Sequence, residues 1–162
     1  MGIGHLQVLT KGISHVTAVP VATLGDRVVV DGNVYVYAYN RSSDLTAKQG
    51  DAMFTSGTTG WSCVISHVTA TMKPIGVVAH TDIPVGEYGW ICKEGFVSVT
   101  AGLNTGLAVH DELIPVATTN TGNLSRKTLN SATSNEMFKL HGHGVVLVAA
   151  ATAASAKCQI WF

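Results

Sequence analysis

The stretch that most constrains this chain runs from Arg27 to Tyr39: Arg-Val-Val-Val, then Asp31-Gly32-Asn33, then Val-Tyr-Val-Tyr-Ala-Tyr. A β-branched run meets an alternating run across an Asp-Gly step, which is the sequence signal of a tight β-hairpin. Alternation places Val34, Val36 and Ala38 on one face and Tyr35, Tyr37 and Tyr39 on the other. Three of the chain's four tyrosines therefore stand in one stripe.

Other segments repeat the theme. Pro84–Thr100 reads as a Gly-punctuated turn feeding a second hairpin, with Glu94-Gly95 as its loop. A two-residue loop there sets Cys92 opposite Val97 and Trp90 opposite Val99 on one apolar face. Ile91, Lys93, Phe96 and Ser98 then take the other, and a three-residue loop would slip the register. Trp61–Thr71, Pro74–Ala79, Leu107–Val116, His141–Val148 and Lys157–Phe162 give further short strands. Asn40–Gly60 turns polar and loses periodicity, with Leu45–Gln49 as a possible single helical turn behind Ser43 or Asp44. Thr118–Glu136 is Thr-, Asn- and Ser-rich and reads as a long loop. No long amphipathic helix is predicted. The expectation is an all-β fold, a sandwich or barrel-like domain of short antiparallel strands over residues 24–162, with residues 1–23 as an extended N-terminal arm or edge segment.

Composition narrows the function classes. Charged residues make up 12% of 162, with ten Lys and Arg against ten Asp and Glu, where an ordinary soluble domain carries about 25%. So little charge suits a surface largely buried against partners. With no basic excess to neutralise phosphates, nucleic acid is not expected as a ligand. The longest apolar tract, Val145–Ala156, contains Thr152 and Ser155 and falls short of the roughly 20 residues of a membrane span. The N-terminus lacks the basic-then-apolar order of a secretory signal, so a cytoplasmic origin is expected. Cys63, Cys92 and Cys158 are odd in number and widely spaced, matching neither a zinc pattern nor a disulfide framework; they read as buried, reduced thiols.

The candidates for chemistry are thin. Of seven histidines, His141-Gly-His143 is the sharpest metal candidate, because alternate strand residues share a face. No third or fourth ligand sits at supporting spacing, and the flanking glycines read better as a close backbone approach. There is no Gly-x-Ser-x-Gly elbow, and Gly57-Thr-Thr-Gly60 lacks the lysine of a phosphate loop. Asp111 and Glu112 point to opposite sides of a strand and read as a solvated loop pair. The expectation is a non-enzyme with no cofactor and no metal, a metal-dependent hydrolase at His141 and His143 being the weakest alternative. The tyrosine stripe reads either as the cover of one sheet face, with hydroxyls reaching solvent, or as an interface or sugar-stacking platform.

The order of elements supplies one further pointer. Gly76-Val-Val78 is followed by Tyr88-Gly-Trp90, Gly95-Phe-Val97, the acidic strand Val109-His-Asp-Glu-Leu113, a polar loop and Gly144-Val-Val-Leu-Val-Ala-Ala150. In this order, with Gly25-Asp-Arg-Val28 and Asn33-Val-Tyr-Val-Tyr-Ala38 before it, the chain resembles the capsid decoration, or cement, proteins of tailed bacteriophages. The resemblance covers about two thirds of the sequence, from Gly25 onward. It implies a virion structural protein, made in the host cytoplasm, that binds the outer capsid surface, often as a trimer, and staples subunits of the major capsid protein. Such proteins have no catalytic residues to carry over. Tyr35, Tyr37 and Tyr39, with His5, Leu6 and Val8 on the arm, are the residues expected at the interface. A head-fibre or host-glycan-binding module is the alternative.

Overall fold

The computed structural model describes residues 12–56, 60–65, 72–100, 108–110, 113–115, 124–126, 144–148 and 155–162. Strand β1 (Arg27–Val30) and strand β2 (Asn33–Asn40) form the expected hairpin, in register from Arg27 opposite Val36 to Val30 opposite Asn33. Asp31 (φ 50°) and Gly32 (φ 79°) both adopt the positive φ that a two-residue mirror-image turn requires. Six more strands join them: β3 (Ala52–Ser56), β4 (Ser62–Cys63), β5 (Met72–Val78), β6 (Tyr88–Thr100), β9 (Gly144–Val148) and β10 (Ser155–Trp161). The sheet runs β1-β2-β6-β10-β9, with β5 also pairing β6, β3 pairing β5, and β4 lying parallel to the end of β2. A separate two-stranded ribbon joins β7 (Leu113–Pro115) to β8 (Leu124–Arg126). No helix occurs among the described residues. The fold is all-β and sandwich-like, open rather than closed into a barrel.

Strand β6 organises the whole, and here the structure corrects the sequence reading. Glu94 and Gly95 do not turn a hairpin; they lie inside one strand of 13 residues. Its first half pairs with β2 and β5, and its second half pairs with β10. Both edges at Cys92 are already taken, by Tyr35 of β2 and Val77 of β5, so no room remains for a hairpin return. Instead the strand bends. Val78 pairs with Ile91, Gly50 donates to the Val78 carbonyl (2.8 Å), and the Gly50 carbonyl accepts from Thr100 (2.9 Å). A straight strand would hold Ile91 and Thr100 about 30 Å apart, so only a sharp corner lets Gly50 bridge both ends.

The corner sits where glycine permits it. Gly95 has φ 130°, and a Cβ there would collide with the Asn33 side chain. Asn33 fastens the bend from β2: its Oδ1 accepts from the Phe96 N–H (2.8 Å), and its Nδ2 donates to the Phe96 carbonyl (3.4 Å) and the Tyr35 hydroxyl (3.2 Å). A register shift between Val34 and Tyr35 marks a bulge opposite, at Lys93. The bulge changes the parity of β6. Trp90, Cys92, Val97 and Val99 therefore share one buried face, as expected, although a bulge and not a turn brings them there.

The two faces of β2 feed two cores. Tyr35 and Tyr37 join Phe54, Val77, Trp90, Cys92, Val97, Val99, Cys158 and Ile160 in the larger one, between the layers. Val36 and Ala38 join Met53, Cys63, Ile65, Val78, Ile83 and Ile91 in the second, on the opposite face. Strand β3 was not foreseen, because consecutive residues Met53 and Phe54 are both buried, one in each core. A strand covered on both faces shows no alternation. The helical turn expected at Leu45–Gln49 is absent; Ala47 instead makes a two-bond bridge with Ile83 (3.0 and 2.8 Å). Part of the expected loop at Thr118–Glu136 is strand β8, and its remainder lies outside the described residues. In the N-terminal segment, Thr17 and Tyr88 exchange backbone bonds (3.1 and 2.8 Å) and Ile13 packs on the larger core. Met1–Lys11 lie outside the described residues.

Candidate interaction surface

The tyrosine stripe is placed mostly inside. Tyr35 and Tyr37 are 2% and 0% exposed, which corrects the expectation of hydroxyls reaching solvent. The reason is the second layer: the tyrosine face of β2 looks toward β6, β10 and β9, so it forms core and not surface. Burial pushes both phenols above their usual range, although hydrogen bonds with Asn33 and Val21 pull the other way. Each hydroxyl is satisfied: Tyr37 accepts from the Val21 N–H (3.2 Å), and Tyr35 lies 3.0 Å from His80 Nε2. Only Tyr39 is partly exposed, tilted against Tyr88 with ring centroids 4.7 Å apart. His5, Leu6 and Val8 lie outside the described residues, as do His141, His143, Asp111 and Glu112.

What the described residues offer chemically is little. Burial drives the thiols of Cys63, Cys92 and Cys158 up to about 12, so none is a nucleophile near neutral pH. No group of three or more His, Cys, Asp or Glu among the described residues is placed to hold a metal ion. Among the described residues the one buried acid is Asp51, whose carboxylate accepts from the Lys48 N–H (2.9 Å). Burial raises it to about 6 despite that bond. Its partners are backbone and a neighbouring loop, an arrangement that pins a turn. No helix among the described residues is long and apolar enough to cross a membrane.

The surface that stands out is the outward face of β6, β10 and β9. Strand β10 alternates strictly: Ala156, Cys158 and Ile160 point inward, and Ser155, Lys157, Gln159 and Trp161 point outward. Opposite them across the ladder stand Thr100, Ser98, Phe96 and Glu94 of β6. Phe96 is 61% exposed, Trp161 45% and Leu147 of β9 41%. Phe96 pairs with Gln159 and lies diagonal to Trp161, within reach of large side chains. Between the Phe96 ring and Leu147 runs an open groove of about 370 Å³, lined also by Val97, Ser98, Lys157 and Cys158. Leu147 sits at a bulge, where the β9 register shifts between Lys157 and Cys158. Three large apolar side chains thus stand exposed on one mixed-polarity face, a residue mix enriched at macromolecular contacts.

Sequence reading placed Phe96 away from the core but gave it no role, and it treated Trp161 only as part of a closing strand. A signal was available. In Ser155–Trp161 the small and aliphatic residues alternate with polar ones, and Trp161 falls on the polar side. A tryptophan on the solvent side of a strand is a marker of contact.

No protein-family model matches the chain, and no curated protein sequence matches it. Among solved structures, it is similar to the crystal structure of the head fiber gp8.5 N base of bacteriophage phi29, with a TM-score of 0.50. The likeness covers 79% of this chain and 93% of that one, at 18% identity. At that identity the likeness is one of fold.

Proposed function

We infer that the protein is a non-enzymatic structural component of a bacteriophage virion, held on the outer surface of the head, where it staples neighbouring capsid subunits. The observation that supports the virion-structural part of this reading is the fold: the likeness covers 93% of the phi29 head-fibre base. The physical features agree with it. The described residues present inert thiols and an exposed face on which Phe96, Trp161 and Leu147 stand among polar residues. Contacts of that kind are individually modest and gain strength through the repetition a shell provides.

The test compares heads with and without the protein under heating and osmotic shock. Greater survival of the decorated heads is the expected result, and equal survival would sink the stapling role. A second reading, the base of a head fibre, is favoured by the description of the structural neighbour as a head-fibre base. It predicts density projecting from the head surface with no change in particle stability. Glycan recognition belongs to that second reading. Tyr37 is interior, so Trp161→Ala and Phe96→Ala are the substitutions that should darken a positive glycan array.

A further inference from the structure

We propose that the Ala47–Asp51 turn is a pH-sensitive latch, closed over the ends of β5 and β6 when the Asp51 carboxyl is protonated and released from them when it ionises. The geometry is that of a clasp. Ala47 exchanges two backbone bonds with Ile83, and the Gln49 side chain donates to the Ala79 carbonyl (2.8 Å). Gly50 donates to the Val78 carbonyl (2.8 Å) and accepts from the Thr100 N–H (2.9 Å), while the Asp51 carbonyl accepts from the Val78 N–H (2.9 Å). One short turn thus ties together the end of β5, the loop 79–83 and the end of β6. The turn is itself closed by a reciprocal pair: the Asp51 N–H donates to the Lys48 carbonyl (3.0 Å), and the Asp51 carboxylate accepts from the Lys48 N–H (2.9 Å). The next amide, Gln49 N–H, donates to a second acid, Asp82 Oδ1 (2.8 Å). Two carboxyls therefore sit on consecutive backbone donors, and of the two only Asp51 is buried. The charged groups that face it are Lys48 from its own turn and Asp82 from the loop after β5. Strands β5 and β6 bring Val78, Val99 and Thr100, which do not titrate. His80, in the same loop as Asp82, is engaged by the Tyr35 hydroxyl (3.0 Å). Burial, with Asp82 adding to it, outweighs the Lys48 amide and ammonium and favours the protonated acid. Opening the turn returns the carboxyl to water, so ionisation favours the open form.

The latch does not depend on the virion reading and is tested on the isolated protein by native-state hydrogen exchange. The Gly50, Val78, Ile83 and Thr100 amides report on it, since each bonds within the clasp. After correction for the intrinsic rise of exchange with pH, they should lose protection on the order of fiftyfold between pH 4 and pH 8. A local opening exposes little surface, so their exchange should respond weakly to low urea. It should also run faster than that of the buried Tyr37 N–H, which donates to the Asp26 carbonyl (2.9 Å) and serves as the reference for global unfolding. Asp51→Asn keeps an acceptor for the Lys48 N–H and cannot ionise, so it should flatten the pH dependence at the clasp. Asp82→Asn keeps an acceptor for Gln49 and removes the facing acid, so it should make the loss smaller. Clasp amides that exchange with the rate and urea dependence of Tyr37 would overturn the proposal, because Asp51 would then act on global unfolding alone. So would a pH dependence that survives Asp51→Asn, or one undiminished in Asp82→Asn.

Discussion

At the scale of single residues, Asp51 makes the protein's stability depend on pH in a defined direction. Its folded value of about 6 lies above the ordinary 3.8, so the native state holds this proton more tightly than the unfolded chain does. The associated stability is fully present below about pH 3.8 and is lost as pH rises through about 6. Asp51→Asn keeps an oxygen to accept the Lys48 N–H and has no charge to bury. It is expected to melt at a higher temperature than wild type at pH 8 and to differ little at pH 4, and thermal melts at both values check this. Tyr37 offers a second measurement. Its hydroxyl holds the Val21 N–H, so Tyr37→Phe should cost about 1 kcal/mol, read by urea unfolding. Tyr39 is partly exposed, and Tyr39→Phe should cost much less. The sequence announced that these tyrosines share a face and was silent on whether that face was wet, because alternation reports side and not cover. Cys63, Cys92 and Cys158 were legible as buried thiols, since nothing about their spacing suggested a partner.

Among the elements, β6 carries the fold. Its corner depends on Gly95, whose φ of 130° disfavours any side chain, and on Asn33, which both blocks that space and bonds Phe96. Gly95→Ala should destabilise by about 2 kcal/mol or more through strain and displacement of Asn33. Asn33→Ala should relieve the clash while losing the bonds, so the two changes should be clearly non-additive in a double-mutant cycle. The β1–β2 hairpin was legible, because Asp31-Gly32 is a turn signal between two β-branched runs, although Asn33, read with the turn, is the first residue of β2 and pairs with Val30. The corner of β6 was misread for the same reason. Glu-Gly between apolar runs carries the local signature of a turn, and only the neighbours β2 and β5, distant in sequence, occupy the edges a hairpin would need. Strand β3 was illegible because each of its faces meets a different core.

For the molecule as a whole, the architecture was readable from the spacing of strands, and the contact surface was not. Phe96, Leu147 and Trp161 come from three strands, and nothing in their separate contexts foretells that β10 will lie between the other two. Low charge led to the expectation of a surface covered by partners, and the structure shows Phe96, Leu147 and Trp161 exposed on one face of the described residues. At this scale the prediction concerns particles: heads carrying the protein should survive heating that ruptures bare heads, measured by release of packaged DNA. A β6 shared between the layers has a mechanical consequence. Two sheets held only by side-chain packing can be peeled apart, yielding in two steps under load. Here a pull entering through β10 passes to β2 along the covalent main chain of β6, so the layers fail together. Stretched from its ends in a single-molecule instrument, the domain should rupture in one event.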